Sequence, residues 1–516
     1  MSTQIDHTPP PATHADPRRW IGLAVLCASL LIVVMDLTIL NVALPSISSD
    51  LRPSSVELLW MVDVYALAVG GFIVVASGLA DRFGRRRMLL IGYVVFGAVP
   101  LLVLVVDSPA WLIALRALLG LGGALIMPST MSMIRNLFDD ARERAVALGL
   151  WATMAAVGAG LGPIIGGALL QHFTWHAAFL FNTPVMVAAI VAATLLLPEN
   201  FGAKVRWDSP GVVASVVGMT ATIYAIKSFG KDGFDAAGAW AAVVVAAIAL
   251  TWFARRCLNS EQPLLDVRLL RRPALTAGLV AALMSSVAFA ALMLLLTQWM
   301  QLVEDYSPLR TGVYLLPFAV AAGVLSPFAP RVADWIGART VMVGGLALSG
   351  AGFFVLYLGG PTLTYPTAAL CLTLTGAGTA SLAIGSAVIM STAPAERSGN
   401  AAVMEETSFE FGSALGVAVL GSLAAAVYRN LLPHSTLSAL GITGPAAETS
   451  RESIGGAVAV AEGLGDGGGA LAQRAQEAFT DALVVSGLAG GAVMIAAAAL
   501  VWFMTPRDLS VEGGGH

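Results

Sequence analysis

A short charged segment, residues 81–87 (Asp-Arg-Phe-Gly-Arg-Arg-Arg), separates two apolar runs of the chain, 57–80 and 88–106. Each run is long enough to cross a lipid bilayer as a helix. A shortened copy of the segment returns at 333–339, where Ala, Asp, Gly and Arg keep register with 80–86. A helical hairpin that is duplicated in a membrane chain predicts two related bundles that rock against each other, which is the architecture of a transporter.

The composition supports a chain that crosses the membrane many times. Of its 516 residues, 57% are hydrophobic and 12% are charged, whereas soluble domains carry about 25% charged residues. The net charge of −4 argues against a nucleic-acid-binding protein. The three cysteines lie in or beside apolar runs and suggest no disulfide framework. The predicted fold class is therefore an all-α polytopic membrane protein.

Fourteen apolar runs have the length that a membrane-spanning helix needs, about 20 residues. The first copy of the hairpin follows the second run and the other copy follows the tenth, so the copies are eight runs apart. Two six-helix bundles joined directly would place them six apart, so the sequence predicts two six-helix bundles with an inserted pair of helices. The runs are about 20–45, 57–80, 88–106, 110–134, 145–170, 177–197, 210–228, 238–254, 274–300, 311–330, 340–359, 365–392, 400–427 and 480–504.

These runs divide the chain into five predicted parts. Residues 1–19 are polar and Pro-rich and are expected to be a disordered tail, and the first run is too long for the core of a signal peptide. The other parts are an N-terminal bundle (20–200), the inserted pair (207–256), a C-terminal bundle (273–505) and a short tail (506–516). The C-terminal bundle includes a long outer loop, 428–479, for which a folded hairpin and a mobile loop both stay open.

The distribution of basic residues predicts the orientation, because positive charge gathers on the cytoplasmic side. With the N-terminus inside, the inner segments hold 20 of the 28 Lys and Arg residues and the outer segments hold 7, with Lys227 counted among the outer ones. Arg116 lies within a run. Both termini are therefore predicted to be cytoplasmic, in a multi-pass protein of the cytoplasmic (inner) membrane.

Six charged residues lie inside the predicted spans and away from their ends. Each would cost roughly 2.5–3.5 kcal/mol at the centre of the bilayer, and six together on the order of 15 kcal/mol. A shared aqueous cavity between the bundles would remove most of this cost. Glu406 and Glu410 share one helix face, while Glu405 points about 100° away. The six residues are Asp36, Asp63, Arg116, Glu405, Glu406 and Glu410.

The five acids are predicted to bind cationic cargo and protons at overlapping sites. Burial favours the protonated form of a carboxyl group and a nearby cation favours the ionised form, so proton and cargo would exclude each other. The alternative is that the acids form fixed ion pairs that hold helices together. Arg116 would repel a cation and is expected to be a partner of Asp36 in proton coupling. Trp60 and Phe409 neighbour the acids in sequence and are predicted to face the cavity, since aromatic faces bind desolvated cations.

The fifth run carries a glycine-rich segment, 158–167. Small residues at four-residue spacing let a neighbouring helix approach closely, and a proline inside a helix removes a backbone donor and kinks it. A pliable interface near the junction of the bundles and plain tight packing are both consistent with the segment. Its named residues are Gly158, Gly162, Pro163, Gly166 and Gly167.

These motifs resemble those of the major facilitator superfamily, and within it the fourteen-helix drug:proton antiporters. Residues 79–86 are similar to the signature of the loop between helices 2 and 3, which in the family locks the outward-facing state. Ser77 stands where that signature usually has Gly, and Leu119 stands where the helix 4 motif around Arg116 usually has Gln. The resemblance implies a gating role for Asp81, Arg82, Gly84, Arg85, Arg86 and Asp334.

Asp63 and the acids of the thirteenth run resemble the subgroup that exports quaternary ammonium compounds, cationic dyes and biguanides. The resemblance implies a proton-coupled exporter of lipophilic cations that works by alternating access. The proton gradient would be its energy source, without a cofactor or metal, and its partners would be cargo, protons and the lipid bilayer. We expect a monomer that is not an enzyme. An exporter of an endogenous metabolite or antibiotic, or a lipid flippase, would carry the same motifs.

Overall fold

A computed structural model describes residues 18–138, 140–201, 208–233, 235–260, 263, 265–393 and 398–506, and every regular element among them is helical. Residues 1–17 and 507–516, which make up most of the two predicted tails, lie outside this description. The first helix begins at Arg18, inside the stretch that was assigned to the N-terminal tail.

Thirteen described helices are long and apolar enough to cross a membrane, and the 32-residue helix Ala141–His172 is the fourteenth of spanning length. The predicted fold class, an all-α membrane protein with fourteen spans, is therefore confirmed. The spans are α1 Arg18–Leu51, α2 Ser55–Phe83, α3 Arg85–Val105, α4 Pro109–Leu137, α5 Ala141–His172, α6 His176–Leu196, α7 Ser209–Asp232, α8 Ala237–Asn259, α9 Pro273–Leu302, α10 Pro308–Leu325, α11 Ala338–Gly359, α12 Tyr365–Thr392, α13 Asn400–Leu431 and α14 Gly469–Met504.

Local sequence explains where several helices begin. Ser54 and Glu57 form a reciprocal capping box at the start of α2: the Ser54 Oγ accepts from the Glu57 N–H, and the Glu57 carboxylate accepts from the Ser54 N–H at 2.9 Å. Such a box satisfies two backbone donors that a helix start leaves free. Pro109 occupies the first position of α4, where its missing N–H has no cost.

Several helix boundaries differ from the sequence prediction. The run that was expected to end near 228 continues as helix α7 to Asp232. Lys227, which was counted with the outer loops, is therefore inside α7, and its side chain is fully buried. Helix α14 begins at Gly469 rather than near 480, because a polar and alanine-rich stretch adds helical turns before the apolar run.

Each bundle encloses an apolar core of its own. One large core draws mainly on α1 to α6, and a second draws on α9 to α14 with the helices of the long loop. The inserted helices α7 and α8 pack against both sides. Near the middle of α7, Ile223 shares a small core with Leu67 of α2 and Ala414 of α13. Phe253 of α8 shares another with Leu275 of α9.

The long loop 428–479 is folded. It contains three short helices, His434–Ala439, Pro445–Glu452 and Ile454–Gly463. These helices lie at the end of the protein that the charge bias predicts to be outside, here called the outer end. The Glu452 carboxylate accepts from the backbone N–H of Ser55 at 3.2 Å, and Lys231 lies 3.8 Å from the same carboxylate. The loop therefore joins α2, α7 and the C-terminal bundle.

The duplicated hairpin has the same backbone turn in both halves. Gly84 has φ 105° and ψ 130°, and Gly337, the matching residue of the second copy, has φ 87° and ψ 144°. Both residues lie between two helices, at a positive φ that glycine adopts without a steric penalty. The sequence repeat thus corresponds to a structural repeat.

We expect Gly84→Ala to lower thermal stability more than Gly337→Ala. Both changes place a side chain at positive φ, which costs on the order of 1–3 kcal/mol. Among the residues that the structure describes, the new Cβ would meet a neighbour at Gly84, the Glu199 carboxylate at 2.6 Å, and none within 4 Å at Gly337. Thermal unfolding of the two purified variants in detergent checks the order. Equal losses would show that backbone strain alone decides.

Candidate functional site

Asp36 of α1 is the centre of a buried polar cluster inside the N-terminal bundle. Arg116 of α4 donates from Nη1 to Asp36 Oδ2 at 2.5 Å, and Asn182 of α6 donates from Nδ2 to Asp36 Oδ1 at 2.7 Å. All three residues are buried. Both carboxylate oxygens are therefore occupied, and Arg116 is the partner that the sequence analysis expected.

Tyr65 of α2 connects this cluster to the next helix. The Arg116 guanidinium lies 4.6 Å from the centre of the Tyr65 ring, and its Nε donates to the backbone carbonyl of Met61 at 3.2 Å. The glycine that follows Arg116 by one helical turn, Gly120, permits this approach, since a Cβ there would lie 2.6 Å from the Tyr65 carbonyl oxygen. The glycines of the helix 4 motif thus let α2 pack directly on α4.

Glu410 lies where the two bundles meet. A Cβ on Gly70 of α2 would lie 3.0 Å from the Glu410 Cβ of α13, so the two helices are in close contact at this level. The Glu410 side chain is buried, and its Oε2 has no hydrogen-bond partner among the residues that the structure describes. We call this contact between α2 and α13 the seam. An acid for which the described residues supply no counter-charge is thus held at the boundary between bundles.

The other two acids of α13 have different surroundings. Glu406 is one turn before Glu410 on the same face, as its spacing predicts, and is half-buried. Glu405 faces α12 instead, where the Ser386 hydroxyl donates to its carboxylate. Further along the same helix, residues Val417–Gly421 form a π-helical turn. Such turns are rare and are frequent at functional sites.

Asp63 does not lie open in a cavity. Its Oδ2 is 2.8 Å from the Lys227 Nζ of α7, and both side chains are completely buried. The Lys227 ammonium also lies 3.9 Å from the centre of the Trp60 ring. Asp63 and Trp60, both predicted to receive cargo, are therefore occupied by a cation of the chain itself. The structure thus shows an ion pair at this position, as in the alternative that the sequence left open.

Of the two predicted aromatic residues, Trp60 lies near the seam. Trp60 packs against the small core that contains Leu67, Ile223 and Ala414, and Phe411 of α13 packs against the same core. Phe409 is half-buried on α13 and is not part of this core. Phe411 rather than Phe409 thus shares a core with Trp60.

The glycine-rich segment of α5 has two contact faces. Gly158, Gly162 and Gly166 face α1, where a Cβ on Gly158 would lie 2.8 Å from the Leu31 carbonyl oxygen. Gly167 faces α10, where a Cβ would lie 2.5 Å from Leu309 Cα. On α10, Gly312 packs directly on the carbonyl of Pro163. The segment therefore packs tightly inside its own bundle and also forms a contact between bundles at the outer end.

The hairpin residues with predicted gating roles lie at the opposite, inner end. The side chain of Asp81 lies outside the described parts of the structure, and Arg82 stacks 5.3 Å from the Phe83 ring. Glu199, after α6, accepts from the backbone N–H of Arg86 at 2.9 Å and so caps α3. In the second copy, Asp334 is exposed.

A second set of inner-end contacts also fixes α3. The Arg85 N–H donates to the Asn200 carbonyl at 2.8 Å, and the Arg86 guanidinium donates to the Thr194 carbonyl at 2.5 Å. The first hairpin is thus bound to the end of α6 in its own bundle.

Three functional neighbours were missed by sequence reasoning: Asn182, Glu199 and Lys227. Asn182 is uncharged, so its position near the outer end of a span has no charge-burial cost that would mark it as a candidate site residue. Glu199 lies three residues after the end of α6, outside the predicted spans, and was not singled out. Lys227 is a cation at the end of an apolar run, and the sequence analysis interpreted it as marking the outer end of that helix.

Comparisons with known proteins agree with this architecture. A family model of the Major Facilitator Superfamily matches residues 26–417. Multidrug efflux pump LfrA of Mycolicibacterium smegmatis is 36% identical over 505 residues, covering 97% of this chain and 99% of that protein. Methyl viologen resistance protein SmvA of Salmonella typhimurium is 32% identical over 492 residues, covering 94% and 98%.

A solved structure shares the fold. It is a bacterial homologue of the human lysosomal transporter Spinster, in an inward-facing and unoccupied conformation, with a TM-score of 0.66, 17% identity and coverage of 95% of this chain and 97% of that one. The family and its relatives identify a multi-pass membrane transporter rather than an enzyme. The chain thus belongs to the Major Facilitator Superfamily, among its drug-efflux transporters.

Proposed function

We propose that the protein is a proton-coupled multidrug antiporter that exports lipophilic cations, such as quaternary ammonium compounds, dyes and biguanides, by alternating access. The observation that carries the proposal is Glu410, a buried carboxylate without a described counter-charge at the seam. A buried acid of this kind must hold either a proton or a cation, because an unpaired charge is costly away from water. Proton and cargo would then alternate at one group.

The other acids are proposed to have different roles in transport. Asp36 is paired with Arg116 inside one bundle, so its release would couple protonation to a rearrangement of α1 and α4. Glu406 and Glu410 are on the opposite bundle, where movement of α13 away from α2 would open them to cargo. The relative that is named for resistance to methyl viologen, a dication, supports a positively charged cargo.

The contacts that join the bundles favour one stage of the transport cycle. At the outer end, Gln301 of α9 donates to the Val42 carbonyl of α1 at 3.0 Å, and Gly312 of α10 packs on Pro163 of α5. With the predicted orientation, these contacts close the outer side. Rocking of the bundles would break them and expose the seam to the outside.

Glu410→Gln is expected to reduce proton-driven efflux of ethidium at least about tenfold, since an amide cannot exchange a proton for a cation. The measurement is transport by the purified protein in liposomes with an imposed pH gradient. Glu405→Gln is the matched control, because that carboxylate faces Ser386 rather than the seam, and a smaller loss is expected.

Two outcomes of this experiment would count against the proposal. Unchanged efflux in Glu410→Gln would remove Glu410 from the coupling site. Export of a neutral drug with no measurable ethidium efflux by the unaltered protein would contradict the cationic cargo.

A further inference from the structure

The buried group formed by Trp60, Asp63 and Lys227 has the composition of a cation-binding site. A carboxylate oxygen and an aromatic face both lie within 4 Å of one ammonium nitrogen, at 2.8 Å and 3.9 Å. The core against which Trp60 packs is apolar and consists of Ala66, Leu67, Ile223, Ala414 and Ala418. An aromatic face attracts a cation most strongly where water is excluded. These are the features that would also bind a lipophilic ammonium ion from outside the chain.

Lys227 resembles such an ion in its chemistry. Its side chain is an ammonium on a four-carbon apolar stem, and it enters the site from α7, one of the two inserted helices. The other oxygen of Asp63, Oδ1, is buried without a hydrogen-bond partner in the part of the chain that is described. The site therefore holds a carboxylate that one cation satisfies only in part.

The group formed by Trp60, Asp63 and Lys227 lies next to the seam. Asp63 and Gly70 are seven residues apart on α2, so they lie on nearly the same helix face, about 10 Å apart along the axis. Gly70 contacts Glu410, and Ala414 and Ala418 of α13 continue the contact toward Asp63. Glu410 and Asp63 thus lie one after the other along the seam toward the outer end, and Lys227 is paired with Asp63.

We propose that Trp60 and Asp63 form a cation subsite and that Lys227 is its tethered occupant, which excludes cationic cargo from Asp63. This inference rests on the proposed function, since it assumes that cations enter the seam. Lys227 then acts as a specificity-determining residue: it cancels one negative charge of the seam and so limits the charge of the cargo. Without it, a dication would gain a second anionic partner.

The test compares cation binding by the full-length purified protein and its variants. Lys227→Ala is expected to bind methyl viologen about tenfold more tightly, because the dication gains the carboxylate and the ring, and to bind tetraphenylphosphonium with a smaller change. Lys227→Arg keeps the charge and should match the unaltered protein. Asp63→Asn combined with Lys227→Ala should lose the gain. Unchanged methyl viologen affinity in a folded Lys227→Ala variant, as for a purely structural tether, would overturn the proposal.

A second measurement covers a Lys227→Ala variant that is unstable. n-Butylammonium should restore its thermal stability by filling the vacated subsite, while n-butanol should not, and the double variant should respond to neither. Absence of this rescue overturns the proposal. The two proposals fail separately. If the unaltered protein transports ethidium but neither test responds, only the subsite is wrong; if butylammonium rescues but no cargo is transported, the transport function is wrong.

Discussion

Replacing Arg116 with methionine is expected to destabilise the protein by about 3–5 kcal/mol, because it leaves Asp36 buried without its counter-charge. Arg116 and Asp36 are 2.5 Å apart, and their side chains are 0% and 2% exposed. Asn182 would still donate to one carboxylate oxygen, but a neutral amide does not balance the charge. Thermal unfolding of the purified variant in detergent measures the loss.

The double variant Asp36→Asn with Arg116→Met separates stability from coupling. With both charges removed, much of the stability should return, since a matched neutral pair no longer buries an uncompensated ion. Proton-driven transport should stay lost. If the double variant is as unstable as Arg116→Met alone, the ion pair is not the cause. If it transports normally, Asp36 has no part in coupling.

Gly312→Ala is expected to open the outer end and to reduce transport at least about tenfold, because the added methyl group cannot fit against the Pro163 carbonyl. The variant should favour conformations in which α10 has moved away from α5, since a change that penalises one state shifts the population to the other. Gly323→Ala on the same helix is the matched control, because nothing lies within 4 Å of a Cβ there.

An introduced thiol reports the opening directly. The three native cysteines are buried, so Gln301→Cys, at the outer contact between α9 and α1, should be the main site for a membrane-impermeant maleimide. Labelling in the Gly312→Ala background is expected to be faster than in the Gly323→Ala background. Equal labelling rates would show that the contact between Gly312 and Pro163 does not control the outer end.

Sequence reasoning was most successful where a signal is local. The number of spans, the fold class and the duplicated hairpin follow from the length of apolar runs and from a short motif. The pairing of Arg116 with Asp36 was also accessible, because two opposite charges at similar depth in one bundle have few other partners. Each of these inferences needs only composition and depth in the membrane.

The sequence did not reveal which side chains face each other across helices. The ion pair of Asp63 with Lys227 was not predicted, because Lys227 lies on an inserted helix far along the chain and the end of that helix could not be located within a turn. The choice between Phe409 and Phe411 depends on the rotation of α13 about its axis. A difference of two residues turns a side chain by about 200°, which proximity in sequence does not reveal.

The π-helical turn at Val417–Gly421 affects how α13 can move. A π-helical turn contains one residue more than an α-helical turn. Were it to migrate along the helix past Glu410, the carboxylate would swing by about 100° around the axis, away from Gly70. A local exchange of hydrogen-bond partners, without any tilt of the helix, would thus be enough to turn this acid away from its contact with α2.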